Sequence, residues 1–550
     1  MEVTKKLIMA AWEIGHHNSP CGVKVGGMAG VLEELPNEMA KYAAQTGLPL
    51  EIEVLSPCFR FYDRSKMDYQ GKLNVPEFGM EFDVFSYVFE DGAHYNIKHV
   101  YFWNEALMGS WGDAGYSQSI YPSNGWNAIR IYARVAAAMA NYIKAVTCHA
   151  IHLHDYHVGM IPFYLDMETL RYPGLVFTIH NASYQGWLEI WNDPSPVMYE
   201  LAMPLAYYYE YFQHWGNFNT MKGVLLRIPE IGGVVTTVSE GYAQELYWSA
   251  DDIRQLAMNE GYPFPQQVFV PSNGLSEFGE ARVQGINNGL SQDKHPENLK
   301  YLKARELRKL QEQENKTIFH NFLVQEKMLR EDHNYSLRDL ANRAKLREYL
   351  CLECFDAIPE EQDIIFCAVG RLVEQKNFNV LLWAIEPILH HNPQAHFIIL
   401  ATPVKEDQYG QSYSKYFAEL AQRNPDKVYF SSGMHEPLGK LVLAGSDFCI
   451  IPSRFEPCGL VDYEAAVLGN IPIVRKTGGL VKTLPHAYSY SWYDEEDPWG
   501  EVFTLQKVIG RAIDDYLNYP VAYQRRMQNC MQINTSWEKS VAQYFNALRL

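Results

Sequence analysis

The chain has 550 residues, 47% of them apolar and 14% aromatic, and 47 Lys plus Arg stand against 65 Asp plus Glu for a formal charge of −18. That is enough apolar material for two sizeable cores and too much for a disordered chain. The acidic balance argues against nucleic acid or an anionic membrane as the main partner, although a phosphate pocket needs only a few local cations.

The opening stretch, "MEVTKKLIMAAWEIG", has a short apolar run without the long core and cleavage site of a signal peptide, so it reads as a first buried strand. No stretch approaches the roughly 18 apolar residues of a spanning helix. Nine cysteines are scattered, and only Cys351 and Cys354 form a C-x-x-C, with no second pair to complete a tetrahedral metal site. That scatter suits a reducing compartment, and a soluble, cytoplasmic protein is expected.

After the first strand comes "CGVKVGGMAGV", residues 21–31. Glycines before a helix let backbone amides approach an anion, and Lys24 adds a cation. The spacing fits neither the dinucleotide fingerprint nor the Walker A loop. "AIHLHD" and "LVFTIHN" follow as apolar runs ending in polar turns, then "GVVTTVSEGYAQEL". "IHLHDYHVG" gathers three histidines and an aspartate, but Asp155 sits one residue too early for the binuclear hydrolase pattern, so no metal site is expected.

Residues 293–345 are rich in charge, with apolar residues at helical spacings, and read as an inserted, exposed helical segment. A second series of runs then begins: "DIIFCAVGR", "AHFIILATP", "KVYFSSG", "FCIIPSRFEPCG" and "IPIVRKTGG". Arg371 and Lys376 flank the turn after the first of these, where two cations suit a diphosphate leaving group. "RKTGGLVKTL" supplies another glycine pair before a helix. Repeated strand–helix alternation predicts doubly wound α/β sheets, with ligands at the carboxyl ends of the strands.

"KVGGMAGV", "HDYHVG", "TIHNASYQG", "TVSEGYAQEL", "GINNGL", "GRLVEQK", "SRFEPCGL" and "IVRKTGGL" stand in the order of the motifs of starch and glycogen synthases, which the chain resembles over most of its length outside 293–345. The resemblance implies a GT-B fold: two Rossmann-like domains facing a cleft, a nucleotide-sugar between them, and a final helix returning to the first domain. On that basis residues 1–292 form the N-terminal, acceptor-side domain, 293–345 the insertion, 346–530 the nucleotide-sugar domain, and 531–550 the returning helix. It also implies roles. Lys24, Gly26 and Gly27 match the phosphate- and substrate-contacting loop, and Asp155 and His180 match groups beside the sugar. Arg371 and Lys376 match the pair that neutralises the diphosphate. Glu456 matches the glutamate that serves the donor. Gly478 and Gly479 match the turn that contacts it. Asn181, Asn288, Cys458, Gly459 and Thr477 fall in the same motifs as further substrate contacts.

Glu456 and Glu464 form an E-x7-E pair. In many retaining GT-B enzymes the first acid contacts the donor sugar and the second the ribose, whereas starch and glycogen synthases commonly lack the second. Other departures are Gly30 and Lys482 where the family has acids, and Ser291 where an acid follows "NGI". The implied activity is metal-independent, retaining transfer of glucose from ADP-glucose or UDP-glucose to an α-1,4-glucan, with no cofactor, nucleic acid or membrane span. Two other readings stay open: a related transferase with another donor or a protein acceptor, and an inactive glycan-binding homologue. A two-carboxylate glycosidase would leave the Arg/Lys/Gly apparatus without purpose.

Overall fold

The computed structural model describes residues 4–15, 20–23, 26–89, 97–109, 120–121, 125–170, 173–270, 275, 282–298, 334–404, 407–433 and 436–550. Apolar runs without alternation form strands buried on both faces, which suits parallel sheets covered by helices. Two compact units result. One comprises Met1–Ser249, Pro271–Gly289 and Trp537–Leu550, and the other Ala250–Val270 and Leu290–Ser536.

In the first unit the strands are β1 (Lys5–Ala10), β2 (Leu50–Pro57), β3 (Asp68–Val75), β4 (Met80–Val88), β5 (Lys98–Trp103), β6 (Ala150–His154), β7 (Gly174–Ile179), β8 (Trp187–Leu188), β9 (Gln213–His214), β10 (Asn217–Asn219), β11 (Val234–Thr237) and β12 (Val283–Gly285). Nine of them make one sheet in the order β12-β11-β7-β6-β1-β2-β5-β4-β3. All neighbours are parallel except β3–β4 and β4–β5. Chain order reverses between β1 and β6, and the ligand crevice of an open α/β sheet lies at such a switch point.

The last helix, Glu538–Leu548, packs on the helix Gly27–Thr46 and on β7. Its approach leaves no room for side chains: a Cβ on Gly174 would lie 1.7 Å from the Leu548 carbonyl, and one on Gly289 2.6 Å from the Trp537 ring. Trp537 Nε1 donates to Glu34 Oε2 at 2.9 Å.

The second unit holds β13 (Ile364–Leu372), β14 (Ala395–Pro403), β15 (Val428–Ser431), β16 (Phe448–Ile451), β17 (Ile471–Arg475) and β18 (Tyr488–Tyr490). They form an all-parallel sheet, β15-β14-β13-β16-β17-β18, with its switch point between β13 and β16. Two doubly wound α/β units are thus present. Residues 250–270 pack with the second one: Tyr262 Oη donates to the Ser491 carbonyl at 2.8 Å, and Lys476 pairs with Glu260 at 2.6 Å.

Of the segment read as an exposed insertion, 299–333 lie outside the described residues. Its far end is packed rather than solvated. Ala341–Phe355 is one helix, and Arg343 is buried, donating to the carbonyls of Ser446 (2.7 Å), Gly469 (2.9 Å) and Leu468 (3.3 Å). The Leu468 carbonyl also accepts from Tyr335 Oη at 2.8 Å, and three main-chain acceptors satisfy the buried guanidinium. All nine cysteines are free thiols.

Candidate active site

Both switch points carry the residues singled out in the sequence. In the first unit, β1 leads to Glu13, whose buried carboxylate accepts the Gly26 N–H at 3.2 Å. Gly26 is the N-cap of the helix Gly27–Thr46, which has no acid in its own first turn, so the Glu13 carboxylate is the negative charge at its positive end. A Cβ on Gly26 would sit 2.9 Å from Glu13, whereas one on Gly27 would meet nothing within 4 Å. A side chain at the first position would thus displace the Glu13 carboxylate, and one at the second would not. Lys24 lies outside the described residues. Glu13 was not singled out in the sequence, although an acid directly after a first strand of such a sheet is a usable signal.

Across the switch point, β6 is followed by Asp155, which takes a left-handed conformation (φ 63°). Its Oδ1 accepts the His180 N–H at 2.8 Å and lies 3.5 Å from the Asn181 amide, so the ends of β6 and β7 are fastened together. Burial pushes its carboxyl up to about 7 against these two backbone donors, with the Glu13 charge a smaller push in the same direction. His180 Nε2 and His154 Nδ1 share a hydrogen bond of 2.9 Å. His152 bonds Thr178 Oγ1 at 2.7 Å, and Thr178 in turn bonds Thr236 at 2.7 Å.

The cluster is not arranged as a metal site. His157 packs among the rings of Trp12, Tyr121, Tyr132 and Tyr156. Among the described residues no group of three or more His, Cys, Asp or Glu is placed to hold a metal ion. Asn181 Oδ1 is turned inward to the Ser183 N–H (3.0 Å). Asn288 is buried, and its Oδ1 finds no partner among the described residues.

In the second unit, Arg371 closes β13 and Lys376 ends the short 3-10 turn after it. Asn377 follows in the left-handed region (φ 56°) and starts the helix Phe378–His391. β16 opposite leads to Ser453–Gly459. Lys376 forms an ion pair with Glu456, whose Oε2 also accepts from Ser453 Oγ at 3.1 Å. Among the described residues Arg371 has no ion-pair or hydrogen-bond partner for its guanidinium. Of the two predicted cations, one is already neutralised by the predicted acid, and Arg371 is the one left uncompensated. A pocket here is lined by Lys376, Ser453, Glu456, Gly459 and Asp462 among others.

The two glycine turns are locked together. The Gly479 N–H donates to the Glu456 carbonyl at 2.7 Å. A Cβ on Gly479 would fall 2.0 Å from the Cys458 oxygen, so only glycine allows the approach. Gly459 (φ 72°) starts the helix Leu460–Val467, and Thr477, buried, starts the 3-10 turn Gly478–Thr483. Lys482, which stands where the family has an acid, reaches back to both Oδ atoms of Asp462 (2.8 Å) and to the carbonyls of Cys458 (2.6 Å) and Gly479 (3.0 Å). Asp462 thus neutralises Lys482 where both side chains are buried. Burial raises that carboxyl to about 6, with Lys482 pulling it down.

Glu464 departs from the expected picture of two acids turned to one ligand. Its Oε1 pairs with Lys294 at 3.1 Å, and both side chains are about three-quarters buried. No sequence signal pointed to Lys294, because the pairing spans residues far apart in the chain.

Comparison with known proteins adds the family. Residues 6–254 match the model of the starch synthase catalytic domain, and residues 355–503 match glycosyl transferases group 1. The glycogen synthases of Thermosipho africanus and Bacillus cereus are 24% and 26% identical, each over 95% of this chain and 95% of theirs. Among solved structures, the catalytic domain of starch synthase IV from Arabidopsis thaliana, bound to ADP and acarbose, matches with a TM-score of 0.70 at 20% identity, covering 100% of this chain and 99% of that one. A trehalose-6-phosphate synthase matches at a TM-score of 0.55 and 13% identity, covering 99% of each chain. With a Rossmann-like fold in each unit, a glycosyltransferase model on each and full-length relatives, the chain is a GT-B glycosyltransferase similar along its length to the starch and glycogen synthases.

Proposed function

We propose that the protein transfers glucose from ADP-glucose or UDP-glucose to the non-reducing end of an α-1,4-glucan, with retention and without a metal. The observation that carries this reading is the uncompensated Arg371 beside the Lys376–Glu456 pair and the Gly478–Gly479 turn, all at the carboxyl ends of β13, β16 and β17. A cation there stabilises charge as the diphosphate leaves, and the glycine turn offers backbone N–H groups to its oxygens. The bond from the anomeric carbon to the diphosphate breaks, positive charge develops on the sugar, and the acceptor hydroxyl attacks from the same face. Its proton passes to a diphosphate oxygen. Glu456 serves the donor sugar's hydroxyls. The Arabidopsis relative, solved with ADP, supports a nucleoside diphosphate as the leaving group.

The test is direct. The protein is incubated in EDTA with ADP-glucose or UDP-glucose, with and without glycogen, and nucleotide release and glucan extension are measured. Release that depends on glycogen and survives EDTA is expected. Activity lost in EDTA and restored by Mg²⁺ or Zn²⁺ would overturn the metal-independent part. Release without glycogen but with a protein acceptor would favour the other transferase reading.

Glu464 is assigned to the donor ribose, in competition with Lys294. Glu464→Ala should weaken donor affinity by about 1.5–3 kcal/mol, the range of a charge-assisted hydrogen bond, and Glu464→Gln by less. The loss should disappear with a deoxyribose donor. Lys294→Met should lower the donor KM, because the ribose then finds the carboxylate unpaired. A raised KM in Lys294→Met, or penalties that simply add in the Glu464→Ala and deoxyribose combination, would remove Glu464 from the ribose site.

A further inference from the structure

Downstream of the His180 turn the first unit exposes an unusual set of aromatic rings. Trp191 is 78% and Trp215 70% exposed, and Tyr184, Trp187, Tyr199 and Tyr209 are also open to solvent. Single exposed apolar residues are ordinary, but large rings that share one exposed surface mark a binding site.

Backbone pairing brings Trp187 and Trp215 together, with Trp191 on the adjoining segment. β8, β10 and β9 form a separate antiparallel sheet. The loop joining β9 to β10 is Trp215–Gly216, and both residues have positive φ (48° and 80°). A two-residue hairpin turn of this kind is normally made by Asn-Gly, and a bulky side chain is disfavoured there. Tyr208 Oη closes the turn by donating to the Gly216 carbonyl at 2.7 Å. The His214 ring stacks on Trp215 at 4.3 Å and lies edge-on to Trp187 at 5.8 Å. The segment carrying Trp191 is fastened to the same sheet by the Ile190 N–H donating to Asn217 Oδ1 at 3.0 Å.

Strain is concentrated in the same stretch. Three of the seven non-glycine residues with positive φ among those described are Asn192, Ala202 and Trp215, and Tyr208–Phe212 is a π-helical turn. Backbone strain of this sort persists where surrounding structure enforces it, and π-turns gather at functional sites. Here it holds indole rings outward, away from the core that would otherwise take them.

We infer that these rings form a platform for the α-glucan chain at a distance from its reacting end. This rests on the proposed function, and names the surface that holds the acceptor. Flat indole and phenol faces stack on the C–H faces of pyranose rings, and a neutral polymer suits the local charge. Residues 184–219 contain Glu189, Asp193, Glu200 and Glu210 and no Lys or Arg, which disfavours an anionic partner. The platform is also continuous with the candidate site. Tyr184 stands four residues beyond His180, and Asn219 Nδ2 donates to Gln185 Oε1 at 2.7 Å, tying the small sheet to that turn.

The experiment is donor-free binding, so that it stands whether or not glucosyl transfer occurs. Wild type, Trp191→Ala, Trp215→Ala, the double variant and Trp215→Tyr are run through native gels containing glycogen and titrated with maltoheptaose by intrinsic fluorescence. Trp499→Ala, an exposed tryptophan of the second unit, is the control. Each alanine variant should weaken glycogen binding by about tenfold, the scale of one well-stacked ring, with Trp215→Tyr near wild type. Trp499→Ala should bind as wild type does. Unchanged retardation of a double variant whose circular dichroism is normal would overturn the platform. So would a wild-type dimer that the double variant dissociates in sedimentation, since the rings would then serve a protein interface. If glycogen binding falls as expected but no nucleotide-sugar is consumed, the platform stands and the transferase reading fails.

Discussion

Arg371→Ala and Lys376→Ala should each lower turnover by roughly two to four powers of ten, because a cation facing the departing diphosphate acts mainly in the transition state. The two variants should differ in stability. The Arg371 guanidinium has no partner among the described residues, so its loss should leave the melting temperature nearly unchanged. Lys376 neutralises Glu456, whose side chain is 10% exposed. Removing the lysine leaves a buried carboxylate held only by Ser453, and should destabilise the second unit by up to about 3 kcal/mol. The Lys376→Ala, Glu456→Ala double variant removes both charges and should recover part of that stability while remaining inactive. Thermal melts and steady-state kinetics on the four proteins separate the two effects. Turnover near wild type in both single variants would remove these cations from the mechanism.

Which parts of the molecule could be read in advance follows from how each is encoded. Every apolar run read as a buried strand, from "KLIMA" to "IPIVR", is a strand of one of the two large sheets, paired in parallel with its neighbours. Such strands announce themselves because both faces are covered. β2 and β5 were not singled out, and β3 and β4 escaped notice because β3 is exposed over most of its length and β4, "MEFDVFSYV", alternates, burying Phe82 and Val84 and turning the residues between toward solvent. A search for continuous apolar runs passes over them. The candidate site was legible as polar turns following apolar runs, since the topology puts those turns at strand ends. Its internal pairings were not. Lys482 seemed a break with the family until Asp462, twenty residues earlier, proved to hold it, and Lys294 reaches Glu464 across 170 residues. Pair contacts of this kind depend on side-chain direction in three dimensions, for which one sequence carries no periodic signal.

Mild acid should unfold the first unit selectively. Burial holds His152, His157 and His180 down to about 3, and His154 well below the ordinary imidazole range, with the neighbouring histidines adding a smaller push at His152 and His154. The shared hydrogen bond between His154 and His180 agrees with this, since it needs one bare ring nitrogen and protonating both rings would set two donors face to face. An unfolded imidazole takes up its proton near pH 6.5. Between pH 6.5 and about 3 the unfolded chain therefore binds more protons than the native one, and stability falls as pH falls. Asp155 works the other way. Its native value of about 7 lies above the unfolded value of 3.8, so it contributes stability at low pH that is lost as pH rises through 7. Four histidines against one aspartate leave a net of about three protons, or roughly 4 kcal/mol per pH unit below 6.5 at most. A domain with about 5–15 kcal/mol to lose would then open within a few units. The check is hydrogen exchange read on peptides from β6 and β7 between pH 7.5 and 5, corrected for the intrinsic pH dependence of exchange, with peptides from β13 and β14 as the internal comparison. Protection should fall in the first pair well before the second. His157→Phe, which keeps a ring among Trp12, Tyr121, Tyr132 and Tyr156, should make the loss shallower by one proton's worth. Asp155→Asn should make it steeper, because the opposing group is gone. Protection in β6 and β7 that stays flat down to pH 5 would mean that these imidazoles are not neutral and buried in the native protein.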